Sequence, residues 1–248
     1  MSHISEKADN HKTENLIPSN QWGNRVAVRS EEVENNLHEI KNKIAPYNAK
    51  IVAVTKYFGL DGVINGYEAG LRNFGESRAL DAIAKIEALP DEIRKNSEFH
   101  FIGHLQSNKA EKVVRYFDYI HSIDSLKLAQ KVSEVACGLN KREKVLLQVN
   151  NAEEEQKFGY SKAQLVEDLP KILELKGIEV VGLMNMAQFG ASEDVLRKTF
   201  KELREFRDEL QEKFSISLPE LSMGMSDDYE IAVQEGATII RLGRKLFS

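Results

Sequence analysis

Lys144-Val145-Leu146-Leu147-Gln148-Val149 and, further on, Val180-Val181-Gly182-Leu183-Met184 are near-continuous apolar runs. Each is too short for a buried helix and too apolar for a strand with one face in water, so each reads as a strand covered on both faces. Between them, residues 163–175 read as a helix. Strand, helix, strand is a unit whose two strands pair in parallel, because the crossover returns the chain to the same end of the sheet. The alternation extends in both directions. Upstream lie a helix at 29–44, with Val33, Leu37, Ile40 and Ile44 at spacings of three and four, and the strand Ile51-Val52-Ala53-Val54-Thr55. They are followed by helix 60–69 stopped by Gly70, strand 72–75, helix 79–89 with Pro90 beyond it, strand 99–102, helix 108–116, strand 119–123 and helix 126–136. Downstream come strand 178–184, helix 193–214, strand 220–223, helix 228–234 and strand 238–242. Eight strands, each separated from the next by a helix, predict a single α/β domain: a (β/α)8 TIM barrel, with a doubly wound open sheet as the alternative. The barrel would span residues 25–248, and residues 1–24 would be a flexible polar N-terminal extension.

The composition narrows the function. The 248 residues are 42% hydrophobic and 29% charged, which suits one sizeable core with a water-exposed surface. A net charge of −5 argues against a nucleic-acid binder that works by neutralising phosphates. No run approaches the roughly 18 apolar residues of a membrane span. The first 24 residues lack an apolar signal core and carry Glu6, Asp9 and Glu14, so the expected location is cytoplasmic. Cys137 is the single cysteine, which excludes an intramolecular disulfide and a thiolate metal cluster; it is expected to be a small buried apolar residue near a helix end. The six histidines, His100 and His104 included, show no metal-ligand spacing, so no metal is expected.

In a barrel, reactive groups gather at the C-terminal ends of the strands. Lys56, closing the first strand, is the amine nucleophile among those positions. An apolar setting disfavours an ammonium and leaves the neutral amine that attacks a carbonyl; the alternative is a lysine whose head reaches solvent at the rim. Leu221-Ser222-Met223-Gly224-Met225-Ser226-Asp227-Asp228 forms a small-residue turn before a helix. Gly224 permits close backbone approach, and Ser226 can either cap that helix or leave its N–H groups to an anion. Leu242-Gly243-Arg244 follows the eighth strand, and barrels often hold phosphates between the loops after strands seven and eight. A lysine at one strand end and phosphate-cradling turns at two others point to a phosphate-bearing aldehyde held as a Schiff base, namely pyridoxal 5'-phosphate. Arg241, inside the eighth strand, alternates toward the lumen, where it could face the pyridine nitrogen. A guanidinium stays protonated and only donates, so the ring would be a weaker electron sink than one paired with a carboxylate. Arg244 reaches either the phosphate or solvent.

Five further runs join this turn: Val52-Ala53-Val54-Thr55-Lys56, Phe74-Gly75-Glu76, His100-Phe101-Ile102-Gly103-His104-Leu105-Gln106-Ser107-Asn108-Lys109, Gly182-Leu183-Met184 and Ile240-Arg241-Leu242-Gly243. Together they make the chain resemble the pyridoxal phosphate homeostasis proteins, from about residue 25 to the C-terminus and in the right order. The resemblance implies a single-domain barrel similar to the N-terminal domain of alanine racemase, a fold type III protein. Lys56 would carry the cofactor as a Schiff base. Ser222, Ser226, Gly243 and Arg244 would hold its phosphate, and Arg241 would face its pyridine nitrogen. It also implies a carrier or regulator of vitamin B6 and amino-acid balance without established catalysis, with apoenzymes dependent on pyridoxal phosphate as partners. After Phe74-Gly75-Glu76 the family usually has asparagine where this chain has Ser77, whose shorter side chain would lose that cofactor contact or bridge it through water. An amino-acid racemase is the enzymatic alternative. It needs acid/base groups on both faces of the cofactor adduct. The chain ends five residues after Gly243, which weighs against a further β-domain supplying one of them and toward a monomeric binder. A lysine-dependent aldolase would keep the Schiff base and dispense with the cofactor.

Overall fold

Strands that must bury both faces have two solutions, an open sheet between helix layers or a closed ring, and this chain takes the ring. The computed structural model describes residues 28–151 and 158–248; the expected extension at 1–24 lies outside them. Eight parallel strands close in sequence order: β1 (Lys50–Val54), β2 (Asn73–Glu76), β3 (Glu98–Phe101), β4 (Tyr119–Ile123), β5 (Glu143–Gln148), β6 (Ile178–Met184), β7 (Glu220–Ser222) and β8 (Ile239–Leu242). Closure is direct, with Lys50 to Ala53 of β1 in register with Ile239 to Leu242 of β8. The helices are α1 (Ser30–Ile44), α2 (Leu60–Glu68), α3 (Ala79–Ala88), α4 (Asp91–Lys95), α5 (Ala110–Tyr116), α6 (Leu126–Gly138), α7 (Lys162–Leu173), α8 (Glu193–Phe214), α9 (Tyr229–Gln234) and α10 (Arg244–Phe247), with a 3-10 turn at Ser107–Lys109.

β4, β6 and α8 run as the sequence predicts. β1 starts and stops one residue earlier than expected, so Thr55 and Lys56 belong to the loop that follows it. The short helices α4 and α10 have no counterpart in the sequence reading, being too short to display a period. Cys137 corrects an expectation: it is exposed. The buried stripe of α6 runs through Leu128, Ala129, Val132, Ser133 and Ala136, and Cys137 falls one step of about 100° beyond Ala136 in the last turn.

The main core lies between sheet and helices. α8 shows how it is built: Leu196, Phe200, Leu203, Phe206 and Leu210 recur at three and four and are buried against the barrel. Each such side chain contributes about 1.5–3 kcal/mol by leaving water. A second, smaller apolar cluster of Val52, Tyr119, Leu146, Val181, Met184 and Ile239 fills the lumen. Below it, at the N-terminal ends of the strands, charged side chains form a floor. Lys50 pairs with Glu220 at 3.6 Å and Lys144 with Glu98 at 3.9 Å. Both ammonium groups also donate to the Tyr119 hydroxyl, at 3.5 and 3.2 Å.

Candidate functional site

With the floor plugged, the candidate site is the opposite, C-terminal end. Lys56 sits two residues past β1, half-buried, with Nζ 4.9 Å from the centre of the Tyr57 ring. The backbone beside it is pinned from below. Thr55 Oγ1 donates to Glu76 Oε1 at 2.7 Å, and Lys85 Nζ donates to Thr55 O at 2.9 Å and to the same Glu76 oxygen at 2.5 Å. Thr55, Glu76 and Lys85 are each 2% exposed or less, so the cluster is dry. Hydrogen bonds of this charge-assisted kind hold geometry most firmly where water cannot compete.

Ser77 follows β2 and is half-buried. Its backbone packs on Gly103, where an added Cβ would come within 2.3 Å of Ser77 O. Ser77, His104, Gln106 and Lys109 help line a cavity of about 410 Å³ between the loops after β2 and β3. His104 closes one side, stacked on Phe158 at 3.7 Å and 3.4 Å from an Asp124 carboxylate oxygen.

The turn after β7 is shaped by Gly224, whose φ of +91° is in the left-handed region and whose added Cβ would meet Ala232 Cβ at 2.5 Å. Asp228 Oδ1 accepts from Met225 N at 2.5 Å, and burial raises the carboxyl's pKa. Arg241 N donates to Gly224 O at 3.0 Å and ties the turn to β8. Among the described residues, the N–H groups of Ser226 and Asp227 make no backbone or side-chain hydrogen bond. Ser226 is buried, and Lys245 N lies 3.5 Å from its Oγ, which sets the β7 turn beside the Gly243 turn. These two turns are thus neighbours, as the sequence predicts.

Two residues expected at the phosphate, Ser222 and Arg244, have protein partners in this structure. Ser222 is fully buried and its Oγ accepts from Arg241 Nη1 at 2.7 Å, with His121 Nδ1 2.8 Å away on the other side. The Arg244 side chain is exposed and paired with Asp227 at 2.5 Å, so it turns to solvent. Arg241 does point inward. It is buried, its Nη2 donates to Asn185 O at 2.9 Å, and burial lowers its pKa to about 10, with Asp228 the carboxylate charge that opposes the shift.

Sequence reasoning gave Lys85, His121 and Asn185 no role and weighed His100 only as a metal ligand. His100 and His121 are fully buried in the lumen, and burial holds His100 down to about 3 and His121 well below its usual range. The signal for them was alternation: His100, His121, Ser222 and Arg241 occupy inward positions of parallel strands. Among the described residues no group of three His, Cys, Asp or Glu side chains is placed to hold a metal, and no helix is long and apolar enough to cross a membrane.

Residues 28–248 match the family model described as alanine racemase, N-terminal domain. Pyridoxal phosphate homeostasis proteins from Synechocystis and Aquifex aeolicus are 44% and 39% identical to this chain, over 82% and 80% of it and 92% and 86% of their own lengths. The solved structure of PipY from Synechococcus elongatus with PLP bound is 37% identical, has a TM-score of 0.80 and spans 87% of this chain and all of its own. Alanine racemase of Clostridium difficile, 16% identical with a TM-score of 0.71 over 88% of this chain and 57% of its own, shares the fold.

Proposed function

The chain belongs to the pyridoxal phosphate homeostasis protein family, and from that membership we propose that it binds pyridoxal 5'-phosphate at the barrel mouth, joined to Lys56 as a Schiff base. When bound, the cofactor supplies an aldehyde that condenses reversibly with amines. Lys56 Nζ provides the amine. The turns at Ser226–Asp227 and Gly243–Arg244 provide backbone N–H groups for the phosphate, with the Ser226 hydroxyl beside them. Ser77 lies at the rim, where a water can extend its reach.

Arg241 is the observation that carries this reading. It is a buried guanidinium whose hydrogen bonds go to a hydroxyl and a carbonyl rather than to a carboxylate, on the strand that leads into Gly243. A cation so placed favours an electron-rich acceptor at the mouth. Such a donor grips a ring nitrogen without protonating it, which suits holding the cofactor better than stabilising carbanions on it. The relatives are named for homeostasis rather than for a reaction, which supports a carrier that stores the cofactor and releases it to apoenzymes.

The purified protein is expected to show a visible Schiff-base band, or to acquire one with added pyridoxal phosphate, and borohydride should fix the cofactor to Lys56. Lys56→Ala should abolish both. A colourless wild type that cannot be loaded would refute the proposal, and racemisation of alanine by the loaded protein would replace the carrier with an enzyme.

A further inference from the structure

Asn73 on β2, His100 on β3 and His121 on β4 have no assigned task in cofactor binding, yet with Ser222 on β7 and Arg241 on β8 they form one continuous line through the lumen. Arg241 Nη1 donates to Ser222 Oγ at 2.7 Å, and Ser222 Oγ lies 2.8 Å from His121 Nδ1. His121 Nε2 is 3.0 Å from His100 Nδ1, and His100 Nε2 is 3.0 Å from Asn73 Oδ1. The Asn73 end sets the direction: its carbonyl oxygen only accepts, so His100 donates to it from Nε2. A neutral His100 then accepts at Nδ1, so His121 donates from Nε2 and in turn accepts at Nδ1. Ser222 gives its proton to that nitrogen, and its oxygen accepts from the guanidinium, which only donates. Every donor and acceptor on the line is matched with both rings neutral.

We propose that Ser222, His121, His100 and Asn73 are positioning residues for Arg241, forming a one-way donor chain that fixes the guanidinium's orientation and both histidine tautomers. It holds and does not relay: a proton could move along it only if the guanidinium accepted one or the Asn73 carbonyl gave one up. The charged groups facing the two rings are Lys50 and Lys144 from the floor and Arg241 from the opposite side, all positive. Tyr119 stacks on His100 at 4.4 Å between ring centres, and its hydroxyl is taken by the two lysines. Lys50 opposes a proton on both rings, Lys144 one on His100 and Arg241 one on His121. The part of the proposal that concerns ligand affinity rests on the cofactor reading above; the direction of the chain does not.

The chain can be tested without any ligand. Long-range proton–nitrogen NMR spectra of 15N-labelled protein, recorded from about pH 5 to 8, should show both lumen imidazoles neutral and protonated on Nε2 throughout. An Nδ1–H tautomer at either ring, or titration of either within that range, overturns the proposal. Ser222→Ala removes the donor to His121 Nδ1 and should let that ring mix tautomers; an unchanged tautomer in the folded variant also overturns it. Asn73→Asp sits beside a cavity of about 390 Å³ at the floor end, away from Lys56. Its carboxylate should draw a proton onto His100 and bring a titration into the observed range, and the absence of one counts against the chain. Pyridoxal phosphate should bind Ser222→Ala about tenfold more weakly than wild type, since Arg241 loses one of two anchors. Equal affinity would remove the positioning role. Failure of borohydride to fix the cofactor in the wild type would instead remove the Schiff-base reading and leave the tautomer result standing.

Discussion

Two lysines converge on the end of β1, and their surroundings give them opposite fates. Lys56 is half-buried over the Tyr57 ring, whereas Lys85 is 2% exposed and locked between Glu76 and Thr55 O. Removing one partner of a buried ion pair leaves the other charge stranded, so Lys85→Met should destabilise the fold by about 3–5 kcal/mol, measured by urea unfolding. Replacing the whole pair with apolar side chains of similar volume should cost far less, which a Lys85→Met/Glu76→Leu double variant checks. Lys56 stands out in the sequence because it follows an apolar strand directly. Lys85 does not, although Ala82, Lys85 and Ile86 share the buried face of α3: a lysine on an apolar stripe gives no hint of which carboxylate it will meet. Ser222 is a related case: the sequence puts it in both strand 220–223 and the turn that follows, and strand pairing makes it the last residue of β7, with its hydroxyl inside the lumen.

At the scale of elements, the barrel was legible because parallel strands and amphipathic helices advertise themselves by period, and β6 and α8 match their sequence-based bounds. Ends were less legible, since a strand stops where its neighbour does and a four- or five-residue helix has no period to read. The turn after β7 depends on backbone shape. Gly224→Ala would combine a left-handed φ with a Cβ 2.5 Å from Ala232 Cβ, and should destabilise by about 1–3 kcal/mol in denaturant unfolding while loosening this turn. α7 shows a helix start that the sequence itself marks. Ser161 and Gln164 form a reciprocal cap there, so Ser161→Ala should lower stability by about 1 kcal/mol in the same unfolding measurement.

The whole molecule carries its pH dependence in groups that the element pattern does not reveal. Burial raises Glu143 to about 7, against the pull of Lys141 2.7 Å away. Between about pH 4.5 and 7 the folded chain therefore binds more protons at Glu143 than the unfolded one, and this group's contribution to stability falls as pH rises through that window. The stability of Glu143→Gln relative to wild type should accordingly increase from pH 4.5 to 7, as read from paired unfolding curves. His100 and His121 act in the opposite sense: they are neutral when folded and protonated when unfolded below about 6.5, so their contribution is lost on acidification. Five strands supply the lumen line, and no stretch of sequence shows five side chains meeting. The floor has a consequence of another kind. Lys50, Glu220, Lys144, Glu98 and Tyr119 make the barrel a cup rather than a tube. Whatever enters must leave by the same rim, so loading and unloading compete for one opening. An acceptor that takes the contents must either wait for spontaneous escape or approach the rim itself, and the dependence of transfer rate on acceptor concentration tells which.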